Sequence, residues 1–133
     1  MKSLTVFFLL LVITGTLRGN PSDFVTLFNR FCSDGTVRNS RVVFPLSVRV
    51  GSTCEENVKA FKWTRRTFRR QFATPQSTDE LAREGLSQQI TEESSTSVQV
   101  FQFRDEADSY QLRYTFELRA GRWLLVKYED ESC

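Results

Sequence analysis

The chain has 133 residues, with 18 Lys and Arg against 16 Asp and Glu, three cysteines and no histidine. The missing imidazole removes the commonest general base, every Ser-His-Asp or Cys-His arrangement and most zinc sites. Three widely spaced cysteines make no metal cluster, and the near-balanced charge gives no argument for nucleic acid.

At the start, Lys2 is followed by an apolar run from Leu4 to Ile13 and then by Thr14, Gly15 and Thr16. The run is about half the roughly 20 residues needed to cross a bilayer, so it reads as a secretory signal peptide rather than a retained anchor. The expectation is a signal over residues 1–19, one domain over 20–133, and no transmembrane helix in the mature chain. Such a protein resides in the periplasm or outside the cell, with association to the cell envelope left open. Losing Lys2 and Arg18 makes the mature chain neutral, but its charge is uneven. Arg38 to Pro75 holds nine basic and two acidic residues, whereas Gln76 to Cys133 holds six basic and twelve acidic. The halves could pair within a monomer or across a dimer.

The first helix is signalled by Asn20 as cap, Pro21 at the first helical position and Asp23 in the first turn, with Gly35 past its end. Phe24, Leu27, Phe28, Phe31 and Cys32 share one face, an aromatic stripe that suits core packing. Arg41 to Val50 reads as a strand that Pro45 interrupts, marking an edge or a bulge. Val58 to Phe72 fits two patterns: Phe61 and Trp63 alternate as a strand would, while Val58, Phe61, Phe68 and Phe72 could share a helical face; a strand through Trp63 with a helix or turn from Thr64 is the favoured reading. Ser77-Thr-Asp-Glu80 has capping-box spacing and opens a helix toward Ile90, weakened by Gly85. The Glu/Ser/Thr run Thr91 to Ser97 reads as a solvated turn. Three strands then follow in a meander. Val98, Val100, Phe101 and Phe103 supply the first, and Tyr110, Leu112, Tyr114, Phe116 and Leu118 alternate through the second. Ala120-Gly121 turns the chain into Arg122 to Tyr128, apolar on both faces.

A resemblance becomes visible in this order of elements. The aromatic-striped helix ends in Cys32-Ser-Asp34, Arg41-Val-Val-Phe-Pro-Leu46 and Trp63 come next, and Tyr114, Phe116, Gly121, Trp123 and Leu125 close the chain as Tyr-x-Phe-x-x-x-x-Gly-x-Trp-x-Leu. This pattern resembles a family of small exported bacterial proteins of unknown function, similar in fold to nuclear transport factor 2. The resemblance implies an α+β fold: a strongly curved, mostly antiparallel sheet wrapped around the N-terminal helix as a cone, with a pocket at its wide end. Many relatives carry a lipid-attachment cysteine after the signal, and this chain lacks one.

That fold hosts isomerases, dehydratases, transport factors and dimerisation modules, so function has to come from residues. Within the implied cone, Phe28, Phe31, Tyr110, Tyr114 and Trp123 are the expected lining for a small apolar ligand, the hydroxyls and the indole being its polar tips. Acid-base chemistry without histidine would need a carboxylate raised by an apolar pocket. Glu117, Asp34, Tyr114 and Arg113 are the candidates, each with a structural alternative on the solvent face or in a helix-ending turn. Lys59, Lys62, Arg65, Arg66, Arg69 and Arg70, interleaved with Phe61, Trp63, Phe68 and Phe72, suit an anionic ligand or an acidic partner. Of these, Lys62, Arg65, Arg66, Arg69 and Arg70 are the expected anion-binding or partner surface, and salt pairing with the acidic C-terminal half explains the same residues without a ligand.

Export permits a disulfide. Three cysteines allow three single pairings. Cys32 with Cys54 is the expected one, because a terminal Cys133 is hard to hold in fixed geometry, and the bridge would contribute roughly 3 kcal/mol. The reading is an exported, non-catalytic binding or protein-interaction module with no cofactor and no metal, and the partner expected alongside a small apolar or anionic ligand is a second copy paired through the outer face of the sheet. The alternatives are a histidine-free isomerase or hydrolase using a pocket carboxylate, and a self-associating structural component of the cell envelope.

Overall fold

The structure is a computed structural model and describes residues 21–51, 57–104 and 110–132. The signal segment, the Asn20 cap, Cys54 and Cys133 lie outside the described residues. Helix α1 runs Pro21–Ser33, with Asp23 in its first turn and Arg30 in its last, matching the sign of the helix dipole at each end. The next residue, Asp34, does more than end a helix. Its carboxylate accepts the backbone N–H groups of Thr36 at 2.9 Å and Val37 at 3.4 Å, and this starts a second helix, α2, at Gly35–Ser40. The sequence reading stopped the helix at Gly35 and missed α2, because the same aspartate fits either a helix end or a helix start.

Strands β1 (Val42–Val50) and β2 (Lys59–Trp63) follow, then α3 (Arg65–Gln71), capped by the Thr64 hydroxyl, which accepts the Thr67 N–H. Helix α4 (Thr78–Glu84) begins at the expected Ser77 cap but stops well short of Ile90. Gly85 takes φ 68°, a conformation that glycine adopts freely, and both Gly85 and Leu86 donate to the Leu81 carbonyl. The chain thereby enters β3 (Ser87–Ser94), so most of the run read as a solvated turn is strand, and the turn itself is Ser95-Thr96. Strands β4 (Ser97–Phe103), β5 (Gln111–Arg119) and β6 (Arg122–Asp130) form the expected meander. Ala120 and Gly121 both have positive φ, the backbone of a two-residue hairpin turn.

The six strands make one sheet in the order β2-β1-β6-β5-β4-β3. Only β1 with β6 is parallel; the other neighbours are antiparallel. Pro45 is therefore not on an edge strand, since β1 lies between β2 and β6. Its lost ladder donor appears instead as a shift of register against β6 between Val42 and Ser47. The architecture is α+β with N-terminal helices and a mixed sheet, but the sheet is not strongly curled into the expected cone. It is open, with β2 and β3 as edges.

The core is a layer of side chains between α1 and the sheet. Phe24, Phe28 and Phe31 of α1 all meet Phe116 edge-on at 5.1–6.0 Å, and Phe24 also meets Trp123 at 5.4 Å. Helix α3 adds Phe68, packed on Phe44, while Phe72 just beyond it packs on Phe31, Tyr114 and Tyr128. Leu46, Val48, Trp63, Val98, Val100, Leu112 and Leu125 complete the buried face of the sheet. Burying these side chains stabilises the domain by about 1.5–3 kcal/mol each.

Candidate functional site

Four of the five residues expected to line a ligand pocket sit in this layer. Phe28, Phe31, Tyr114 and Trp123 are 3%, 0%, 0% and 6% exposed, and their rings are in contact with α1 or with one another's neighbours. The Tyr114 hydroxyl donates to the Ala73 carbonyl at 2.7 Å. Burial pushes the phenols of Tyr114 and Tyr128 up, with carboxylates and other phenols nearby adding to it. Tyr110 is half-buried and packs against this core, and burial and Glu84 raise it too.

Beside Tyr114 lies Gln102, fully buried on β4. Its carbonyl accepts the Gln76 N–H at 3.0 Å, and its amide donates to the Gln76 carbonyl at 3.0 Å and to Gln88 Oε1 at 2.7 Å. Gln102 is not among the expected site residues, although a glutamine at the inward phase of an alternating strand is a visible signal.

Of the acid-base candidates, Asp34 is the α2 cap. Glu117 is exposed and holds Arg119 at 2.7 Å. Arg113 lies on the outer face, 3.5 Å from Glu131, donating to Gln99 Oε1 at 3.2 Å and stacked 4.5 Å over Phe101. Cys32 carries a free thiol on the half-buried flank of α1. Burial pushes it up to about 12, against the opposing pull of Arg38.

The basic cluster divides at the Thr64 turn. Lys62 points to the outer face of β2, whereas the arginines go with α3. The Arg65 guanidinium stacks 4.5 Å over Phe44 and donates to the Asn39 carbonyl at 3.3 Å. Arg69 joins Arg38, Asn39, Phe68, Phe72 and Thr74 around a cleft of about 170 Å³. Arg38 closes the end of α1 there, its Nε donating to the Phe31 carbonyl at 3.0 Å and Nη2 to the Cys32 carbonyl at 2.8 Å. Arg66 and Arg70 are exposed. The ion pairs among the described residues are Arg113–Glu131, Arg119–Glu117 and Lys127–Glu129, all on β5, β6 and their flank. Pairing between the basic and acidic halves is not found among them, because the basic helix lies over the buried face while these carboxylates line the outer one.

The outer face itself is ordered by strand register, since ladder partners share a face. One row runs Gln99, Thr115, Lys127, Ser47, Lys62 from β4 to β2, and the next runs Phe101, Arg113, Glu129, Arg49, Ala60. A groove of about 320 Å³ opens at the β2 end of these rows. Sequence reasoning could not assemble it, because β1, β2 and β6 are neighbours only once the strand order is known.

No known family profile matches the chain, and no curated protein matches it either. Solved structures do. The chain is similar to an NTF2-like protein from Bacteroides fragilis NCTC 9343, with a TM-score of 0.61 at 14% identity over 83% of this chain and 47% of that one. It thus spans about half of that protein's length. A DUF4783 family protein from Bacteroides uniformis ATCC 8492 aligns with a TM-score of 0.46 at 10% identity over 86% of this chain and 98% of that one. An NTF2-like protein with a cystatin-like fold from Novosphingobium aromaticivorans aligns at 0.41 and 15%, over 99% and 89%. The fold is the nuclear transport factor 2-like fold that the sequence pattern resembles.

Proposed function

We propose that this chain is an exported, non-catalytic binding module of the periplasm, envelope or extracellular space, and that its basic flank takes an anionic partner. One observation carries the reading. Arg66, Arg69 and Arg70 enter no ion pair with any carboxylate among the described residues, although the chain has enough acid to neutralise them. Arg69 shares a cleft with Phe68 and Phe72, and Arg66 and Arg70 are exposed on the same helix; guanidinium groups so placed suit carboxylate or phosphate groups. The non-catalytic part rests on where the carboxylates sit: Asp34 caps α2, and Glu117 is held by Arg119 on the outer face of the sheet.

Polyglutamate is a suitable probe, as a carboxylate polymer. The protein should bind it in low salt and release it as salt rises. A triple change, Arg66→Gln with Arg69→Gln and Arg70→Gln, should abolish retention while leaving the circular dichroism spectrum unchanged. Retention equal to wild type would reject the flank as the working surface.

A second reading, self-association through the outer sheet face, has its own observation. Phe101 and Phe103 stack at 4.7 Å on that face, half-exposed, with the Arg113 guanidinium over Phe101. Aromatic and arginine side chains together are typical of interface centres.

A further inference from the structure

We propose that Ser47, Lys62, Lys127 and Arg49 form a binding site for a phosphate or sulfate group on the outer face of the sheet, separate from the α3 flank. Ser47 sits on β1 with a lysine directly opposite on each side, Lys62 of β2 and Lys127 of β6. Adjacent strands lie about 4.8 Å apart, so the two stems rise about 10 Å from each other with the hydroxyl between them. Flexible lysine arms close such a span around a tetrahedral anion, and the Lys62 ammonium already leans to 3.5 Å from the Ser47 oxygen. Two residues along the same face is Arg49, whose partner on β2 is Ala60. That small side chain leaves the groove open beside the guanidinium.

The cations there are not balanced. Glu129 lies between Arg49 and Arg113 in its row, is nearly buried, and stands 3.6 Å from the Lys127 ammonium. It offsets one charge. Lys62 and Arg49 enter no ion pair among the described residues. A lysine on an edge strand such as β2 has an ordinary explanation, since it discourages edge-to-edge pairing. Edge protection does not explain Arg49 and Lys127, because β1 and β6 are interior strands; Lys127 has Glu129 beside it, which leaves Arg49 and Lys62 as the cations to be matched. A hydroxyl donor, two ammonium groups and a guanidinium fork supply the donors that a phosphate or sulfate oxyanion accepts.

The group can be carried by a soluble molecule or by a lipid headgroup, and the experiment separates the two. Inorganic phosphate is titrated into the full protein at low ionic strength while backbone amides are followed by NMR. Saturable shifts centred on Ser47, Arg49, Lys62 and Lys127 are expected. Lys62→Gln and Arg49→Gln should each weaken binding by about tenfold, the worth of one charged hydrogen bond, and Ser47→Ala should weaken it by less. The triple arginine change on α3 should leave the shifts at Ser47, Arg49, Lys62 and Lys127 unaltered, so failure of the flank reading and failure of this one are told apart. Phosphatidylcholine vesicles with and without phosphatidylglycerol form the second arm. Retention on the anionic vesicles that Lys62→Gln abolishes assigns a headgroup source, and phosphate binding without retention assigns a soluble one. Absence of saturable phosphate binding, or binding that Lys62→Gln and Arg49→Gln both leave intact, overturns the proposal.

Discussion

Gln102 shows how one polar side chain can hold three segments. It fastens the stretch before α4 to β4 and reaches across to Gln88 on edge strand β3. Gln102→Leu should keep the volume and lose all three bonds, stranding the Gln76 N–H and carbonyl. The expected cost is about 2–3 kcal/mol, read as a lower urea midpoint at unchanged slope. At the same scale, the buried phenols and the Cys32 thiol make stability sensitive to alkali. In the unfolded chain the thiol ionises near 9.0, while the folded state holds its proton up to about 12. The unfolded state therefore loses protons first, and stability falls as pH rises through that window. Tyr114 and Tyr128, raised from 10.0, act in the same direction from pH 10.0 upward. Urea midpoints should be flat below pH 8 and decline above 9, and Cys32→Ala should remove the earliest part of the decline. A midpoint that rises between pH 9 and 11 would contradict this assignment.

Among elements, the joint between α1 and α2 depends on Arg38. Its guanidinium satisfies two carbonyls at the end of α1 from a position six and seven residues later in the chain. Arg38→Ala should cost about 1–2 kcal/mol, and Arg38→Lys should restore less than half of that, because a single ammonium cannot match the fork. Gly85 makes a cleaner test of backbone conformation, since a Cβ there would touch nothing within 4 Å and the only penalty is φ 68°. Gly85→Ala should cost about 1 kcal/mol by thermal or urea unfolding; no loss would mean that α4 ends for another reason. These elements also mark what the sequence could disclose. The β5–β6 hairpin was legible because Tyr110 to Leu118 alternate and Ala120-Gly121 supplies the turn. Strand β3 was not, because Gln89, Ile90, Glu92 and Glu93 carry no alternation; what makes them a strand is the main-chain ladder to β4. The basic residues of the candidate site were legible as a group. Their division into a helix flank and an outer-face groove was not, since Lys62 and Arg65 are three residues apart yet serve different surfaces.

For the whole molecule, the sheet presents two unlike halves on its outer face. The β4–β5 half carries Phe101, Phe103 and Arg113, and the β2–β1–β6 half carries the cations around Ser47. Self-association through the aromatic half leaves the groove open, so pairing and anion binding need not compete. In sedimentation velocity the protein should run as a dimer, and Phe101→Ser with Phe103→Ser should convert it to a monomer with phosphate binding retained. A wild-type monomer at every concentration would dismiss the pairing surface.

The parallel contact of β1 with β6 ties residues 42–50 to residues 122–130, and β6 is the strand that joins β2-β1 to β5-β4-β3. A growing chain that has reached Gly121 thus holds two separate fragments of sheet, each with a raw edge where β6 belongs. The core cannot close until β6 has been made, and long-range pairing of this kind is slow. A stop placed after Arg119 should accordingly yield a product degraded by proteases at the rate of an unfolded chain, not a smaller folded one.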